Sequence, residues 1–337
     1  MNRILTGTWL RRERRVPVLL AGFLWLLISL PPSAAAGWPA RVFAPYMFLG
    51  AGDHFLLTQC ADDCGQKYYT LAFIIADKSR QPAWYGSVPM DANLYADQIS
   101  ALRARGGDVI VSFGGEAGRE MALVETDARV LQADYQAIID RYHFTWLDFD
   151  IEGKALENTA ANVRRNTALA GLQAANPGLI ISYTLPVDPE GIPDDAQKLL
   201  ADARAQGVKV YSANVMTMDY GRKFSDGKKM SDVSIASALK AREQCVAIDP
   251  AIQIGLTPDI GQNDVKSEVF SLADARALRK WARHQPWVVS VSFWCSNRDT
   301  GRPDAWDHGS GVPQEPWGFT KTFQKFGRAS WWKRIFG

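Results

Sequence analysis

Residues 145–153 read TWLDFDIEG and place three acids, Asp148, Asp150 and Glu152, at every second position between Leu147, Phe149 and Ile151. Side chains alternate between faces along a strand, so the three carboxyls share one face, each about 6.6 Å from the next. Three carboxylates that close cannot all ionise cheaply, because like charges in a partly dry setting raise the pKa of at least one. A carboxyl that keeps its proton near neutral pH can serve as a general acid. A bound hard cation would take several more oxygens, and the sequence offers no second acidic cluster to supply them. A buried salt-bridge network would need basic residues on the neighbouring strands, which hold few. The run therefore predicts acid catalysis, without a metal or cofactor.

Such a strand needs a scaffold that turns one face inward. Eight apolar runs rich in β-branched and aromatic residues begin at 41, 68, 108, 144, 179, 208, 251 and 287, and their starts lie 27 to 43 residues apart. That is the room a strand and a helix need. Helical patterns fill the gaps at 93–107, 157–178, 231–248 and 271–285, the last two opening on Ser231 and Ser271 as N-caps. The runs show little polar alternation, as in parallel strands covered on both faces. Eight such units predict a (β/α)8 barrel in a single domain over 37–330, with its active site at the C-terminal ends of the strands. The rival, an open doubly wound sheet, would carry a glycine-rich phosphate loop after its first strand. Gly50 and Gly52 stand there, but Asp53 and His54 follow and no helix starts.

Basic and acidic residues number 38 and 36, a balance that gives no reason to expect nucleic-acid binding. The N-terminus differs from the rest. Arg11, Arg12, Arg14 and Arg15 precede an uncharged apolar run from Val16 to Leu30, and Ala34-Ala35-Ala36 follows. That is the layout of a signal peptide over 1–36, and the 15-residue run is short for a span of about 20. The chain is therefore expected in the periplasm or secreted, and at a membrane only if that segment stays uncleaved. Export permits disulfides, and Cys60 and Cys64 are spaced to bridge in a tight turn. With His54 they form a partial zinc set that lacks a fourth ligand. His143, His284 and His308 show neither metal nor triad spacing. The aromatic and basic tail at 331–337 reads as a helix end packed on the barrel.

Four stretches carry a family resemblance. LDFDIEG is similar to the D-x-x-D-x-D-x-E strand of glycoside hydrolase family 18, the chitinase family, with Asp148, Asp150 and Glu152 at its last three acids. VIVSFGG matches the family's S-x-G-G strand through Ser112, Gly114 and Gly115, and NVMTMDYG resembles its M-x-x-D region through Met216 and Asp219. VSFWC places Trp294 at the family's tryptophan, and SYTLPV with GLTPDIGQND resembles a bacterial and archaeal chitinase subgroup. Together the matches span about residues 41 to 325, in the family's order. The chain departs at Thr145, where the motif has its first Asp, and at Met218, where many members carry a substrate-binding tyrosine. Tyr220, two residues on, stands on the same side if the strand runs that far.

The resemblance implies a barrel that hydrolyses β-1,4-linked N-acetylglucosamine polymers with retention, the substrate's own acetamide oxygen acting as nucleophile. Glu152 would protonate the glycosidic oxygen, Asp150 would hold the acetamide N–H, and Asp148 would share a proton with Asp150. Tyr220 would supply a catalytic hydroxyl. Tyr46, Ser112, Gly114, Met216, Met218, Asp219 and Trp294 would contact or frame the sugar, with Trp294 as an apolar floor or else a core residue. Trp84 and Tyr85 either extend the cleft or pack in their loop. The partner is then chitin or its oligosaccharides, bound by a monomer. An endo-acting hydrolase of N-glycans and a non-hydrolytic binding barrel remain as alternatives, though barrels of the second kind usually lack the terminal Glu.

The leader layout yields the first prediction. N-terminal sequencing of the protein from its own host should begin at Gly37. Recovery of membrane-bound protein that retains Arg11 to Arg15 would identify an anchor instead.

Overall fold

A computed structural model describes residues 37–49, 57–302 and 308–327. The leader expected over 1–36, His54, and the tail at 331–337 lie outside the described residues.

All eight apolar runs contain barrel strands. They are β1 (Val42–Phe43 and Tyr46–Phe48), β2 (Tyr68–Ala76), β3 (Asp108–Gly114), β4 (Trp146–Asp150), β5 (Ile180–Pro186), β6 (Val210–Met216), β7 (Gln253–Thr257) and β8 (Val288–Val291). Each pairs in parallel with its sequence neighbour. The first run closes the ring because it divides its bonds between two partners. Ala44 and Tyr46 donate to Val291 and Phe293 of the last run at 3.1 Å, while Thr70 and Leu49 bond Pro45 and Ala72 across the second strand at 3.0 Å. Pro45 has no N–H to give and contributes only its carbonyl. The result is the (β/α)8 barrel.

A helix of six residues or more follows every strand: Leu57–Cys64, Ala96–Ala104, Ala128–Tyr142, Thr159–Ala175, Asp194–Ala205, Met230–Ile248, Leu272–Ala282 and Gly318–Phe323. Ser271 caps its helix in a reciprocal capping box with Asp274. Ser231 does not cap. The helix starts two residues earlier, at Met230 with Lys229 at the N-cap, and the Ser231 N–H reaches Asp274 at 3.0 Å instead. Cys60 and Cys64 lie one turn apart on a helix rather than in a turn, with both thiols free and the sulfurs 3.1 Å apart.

The two faces of β4 explain its alternating sequence. Leu147, Phe149 and Ile151 are fully buried against the helix layer, where Phe149 stacks on Phe113 at 5.2 Å and meets Tyr135 edge-on at 5.3 Å. Trp146, Asp148 and Asp150 face the barrel interior from bottom to top. At the bottom Trp146 packs with Trp38, whose indole donates to Thr145 Oγ1 at 2.9 Å, and with Tyr211. Thr145 thus ties the chain entering the barrel to the base of β4.

Behind the β3 loop sits a buried ion pair. Arg165 reaches Glu120 with two bonds of 3.0 and 2.8 Å, and its third nitrogen meets Asn162 at 2.9 Å. Both charged side chains are shut off from water. Removing one partner strands the other charge in a dry site, which typically costs about 3–5 kcal/mol. Arg165→Met should therefore lower unfolding stability by that order in a denaturant titration. A loss below about 1 kcal/mol, the scale of an exposed pair, would contradict this reading.

Candidate active site

The strand register decides which hydroxyls meet which acid. Asp148 lies level with Ser112 on β3 and Ser182 on β5, whereas Asp150 lies level with Gly114 and Thr184. Ser112 and Ser182 both turn to Asp148, at 2.8 and 2.6 Å. Thr184 also leans down to Asp148, at 2.9 and 3.0 Å, and Tyr46 reaches it from β1 at 2.9 Å. A relay of polar side chains reaches the threonine from the far side of the barrel. Thr257 donates to Asn214 Oδ1 at 2.9 Å, and Asn214 Nδ2 donates to Thr184 Oγ1 at 2.9 Å. An ionised Asp148 can only accept, so Thr184 gives it its O–H while taking the Asn214 N–H on a lone pair.

Asp150 is left with nothing comparable. Its register neighbour on one side is a glycine, its Oδ1 is buried without a hydrogen-bond partner, and the side chain is only 5% exposed. Burial, then the charge of Glu152, then that of Asp148 push its pKa well above the usual carboxylate range. Burial also raises Asp148, but four hydroxyls oppose the shift by favouring its anion. Asp148 therefore carries the negative charge and Asp150 the proton. The direct proton sharing expected between them gives way to a different arrangement: hydroxyls fill both oxygens of Asp148, and it acts on Asp150 through its charge.

Two glycines make the packing possible. A Cβ on Gly114 would sit 2.1 Å from the Asp150 carbonyl, and one on Gly115 would sit 2.7 Å from the Phe73 ring. Both residues also have positive φ, at 102° and 88°. Beyond Asp150 the strand pairing ends, but Glu152 stays extended at φ −142° and ψ 171°, so alternation carries its side chain to the rim. There it is half-buried. Its pKa is pushed up to about 7 by burial first, then by the charges of Glu116 and Asp219.

The two upper acids open on a cavity of about 890 Å³, with Asp148 buried beneath it. Asp150 and Glu152 line it, as do Tyr46, Met216, Met218, Asp219 and Trp294. Trp294 is half-buried and stacks on Phe73 at 5.7 Å, with Phe48 and Tyr46 rings at 5.6 and 5.8 Å. It forms an aromatic wall of the cavity rather than a core residue. Ser112 and Gly114 stand below the cavity, supporting Asp148 and Asp150. Tyr85 lines the cavity, whereas Trp84 is fully buried and donates to the Tyr142 hydroxyl at 3.1 Å.

Among the expected catalytic side chains, Tyr220 is the one that the structure moves out of the site. The strand stops at Met216 and the chain turns at Asp219, where φ is 51°. Alternation ends with the strand, so Tyr220 points outward. Its hydroxyl lies 3.5 Å from Ser234 on the following helix, and the residue does not line the cavity. Met218 occupies the cavity side instead. Sequence reading also passed over Ser182, Thr184, Asn214 and Thr257, although polar residues at alternate positions of ISYTL and SANV signal an inward polar face. Glu116, on a loop, had no periodic signal to give.

No protein-family model matches the chain. It is 32% identical over 281 residues to a probable bifunctional chitinase/lysozyme of Escherichia coli, covering 78% of this chain and 31% of that protein. Endochitinase 11 of Metarhizium anisopliae is 32% identical over 279 residues, covering 78% of this chain and 53% of the other. The chain thus spans about a third to a half of the curated relatives it matches. Among solved structures it superposes with a TM-score of 0.78 on catalytic-site mutants of active domain 2 of the thermostable chitinase from Pyrococcus furiosus, complexed with chito-oligosaccharides. That match is 33% identical and covers 89% of this chain and 96% of the other.

The electrostatics of the rim give a direct test. In a carbon-detected NMR titration Glu152 should titrate at about 7. Glu116→Gln removes a like charge and should move that midpoint down. An ordinary carboxylate midpoint for Glu152, or one indifferent to Glu116, would contradict the assignment.

Proposed function

We infer that this chain, which belongs to glycoside hydrolase family 18, the chitinase family, hydrolyses β-1,4-linked N-acetylglucosamine polymers or oligomers with retention and with help from the substrate's acetamide. The observation that carries the reading is the division of labour along β4: an anchored anion, a protonated neighbour with an unpartnered oxygen, and a rim acid raised to about 7.

Each role follows from that gradient. Glu152 is still protonated near neutral pH and sits at the opening, so it delivers its proton to the glycosidic oxygen. The acetamide N–H donates to the unpartnered oxygen of Asp150, which turns the acetamide carbonyl toward the anomeric carbon. As that oxygen attacks, positive charge develops on the sugar and the resulting oxazolinium. Asp148 and Asp150 together hold one proton and one negative charge, and that charge lies beneath the developing cation. Glu152, now ionised, takes a proton from the water that opens the oxazolinium. Neither deeper acid needs to attack, and an intramolecular nucleophile held in place can contribute about 7–11 kcal/mol toward the barrier. Trp294 offers its face to the C–H side of the reacting sugar.

Hydrolysis is favoured over simple binding because Glu152 is present and raised into the working range of an acid. Chitin is favoured over N-glycans by relatives that are named as chitinases and by a solved neighbour complexed with chito-oligosaccharides. We extend the proposal to export, supported by the basic, apolar and small-residue layout of residues 1–36.

Glu152→Gln keeps the size of the side chain and removes the proton. Turnover of N-acetylglucosamine oligomers should fall by about 10² to 10⁴, with oligosaccharide binding retained. Because the protonated form does the work, wild-type kcat/KM should decline as pH rises through about 7. Near-normal turnover in the variant would remove Glu152 from the role.

A further inference from the structure

The cavity is divided by chemistry. On one side β8, β1 and β2 bring Trp294, Phe48 and Phe73, with Tyr85 beyond them. On the other side, loops after β3, β4, β6 and β7 bring acids. Among the described residues six carboxyl side chains line the cavity, Glu116, Asp150, Glu152, Asp219, Asp259 and Asp264, and no Lys, Arg or His does. The chain as a whole carries 38 basic and 36 acidic residues, so the one-signed lining is not a background of general acidity.

Not all six are equivalent. Asp259 is answered by Arg298 behind it. Asp150 and Glu152 are engaged in the reaction. Asp219 accepts the Val265 N–H at 3.0 Å and otherwise faces the cavity. Glu116 and Asp264 are exposed, and among the described residues neither side chain has a hydrogen-bond partner. A neutral sugar drawn across this wall strips water from carboxylates and returns only hydroxyl hydrogen bonds. An ammonium returns a charge-assisted bond. The unpartnered Asp150 oxygen offers a hydrogen-bonding position to an occupant of this cavity. Deeper in, an acetamide fits that oxygen. Further out the carboxylates call for a charged amine, with an aromatic wall opposite to stack the sugar ring.

Building on the chitinase reading, we propose that the cleft selects partly deacetylated chains, seating a glucosamine unit beside the acetylated reacting sugar with its ammonium against Glu116, Asp219 and Asp264. One-signed clefts concentrate counter-charged ligands, an effect that salt weakens.

The test uses oligosaccharides of one length: fully acetylated, carrying one glucosamine next to an acetylated unit, and fully deacetylated. Kd and kcat/KM are measured at low and high salt, at one pH below neutrality, for wild type and for Glu116→Gln/Asp264→Asn. The singly deacetylated oligomer should be preferred in kcat/KM by about five-fold, the scale of one exposed charge contact. High salt and the double variant should each bring that ratio toward unity. Taking the ratio within each protein removes any change in Glu152 itself. The fully deacetylated oligomer should bind in a salt-dependent way and remain uncut. Hydrolysis of the acetylated oligomer with no gain from the ammonium would overturn this proposal alone. Salt-dependent binding of the deacetylated oligomer without cleavage of any oligomer would support it and overturn the chitinase reading. A preference indifferent to salt and to the double variant would also overturn it, because the carboxylates would then not be its source.

Discussion

A single buried anion sets the electrostatic state of the barrel interior. Asp148 stands at mid-depth with hydroxyls from β1, β3 and β5 on both of its oxygens. Hydrogen bonds to a charged acceptor are stronger than neutral ones, and four of them keep the anion despite its burial. With that charge fixed, the next acid along the same face cannot also ionise cheaply. Burial first, then the charges of Glu152 and Asp148, keep the proton on Asp150, and the hydroxyls that hold the Asp148 charge are where they are because of register. Serines lie level with Asp148 on both neighbouring strands, and a glycine lies level with Asp150. Shifting either neighbour by one residue would send its polar side chains into the helix layer and dissolve the gradient.

Much of this was legible in the sequence. Alternating acids required one inward face, and eight apolar runs at strand-helix spacing required a barrel to hold it. The reading failed where local rules gave way to tertiary context. Ser231 is a good N-cap by type, but its N–H is met by Asp274 from the next helix, so the cap falls elsewhere. Tyr220 is placed by extending a strand past its end, and the positive φ at Asp219 that turns the chain is only weakly signalled by residue type, aspartate being among the side chains that tolerate it. The helix Ala128–Tyr142, absent from the helical patterns read in the sequence, buries Leu131, Tyr135, Ile138 and Tyr142 along one side. The Thr257–Asn214–Thr184 relay was only half readable. Alternation shows that such side chains face inward, but the direction of each hydrogen bond depends on neighbours brought together by the closed ring.

The cavity wall adds what strand periodicity cannot. Loops after the strands supply Glu116, Asp219 and Asp264, and the charges of Glu116 and Asp219 reach Glu152 across the opening. The same acids that hold a proton on Glu152 also colour the field a substrate meets on entry. Stability and chemistry are kept apart in this arrangement. The Glu120–Arg165 pair and the aromatic stack around Phe149 secure the outside of β3 and β4, while the inside of those strands is left to polar groups.

The central claim is that Asp150 is a neutral acid at neutral pH, kept so by its burial first and then by the charges of Glu152 and of Asp148 beneath it. Difference infrared spectroscopy between the wild type and Asp150→Asn reads this directly, through the carbonyl stretch of a protonated carboxylic acid. A protonated-acid band present at pH 7 in the wild type and absent in the variant is the expected result. A difference spectrum showing only the loss of an ionised carboxylate would contradict it.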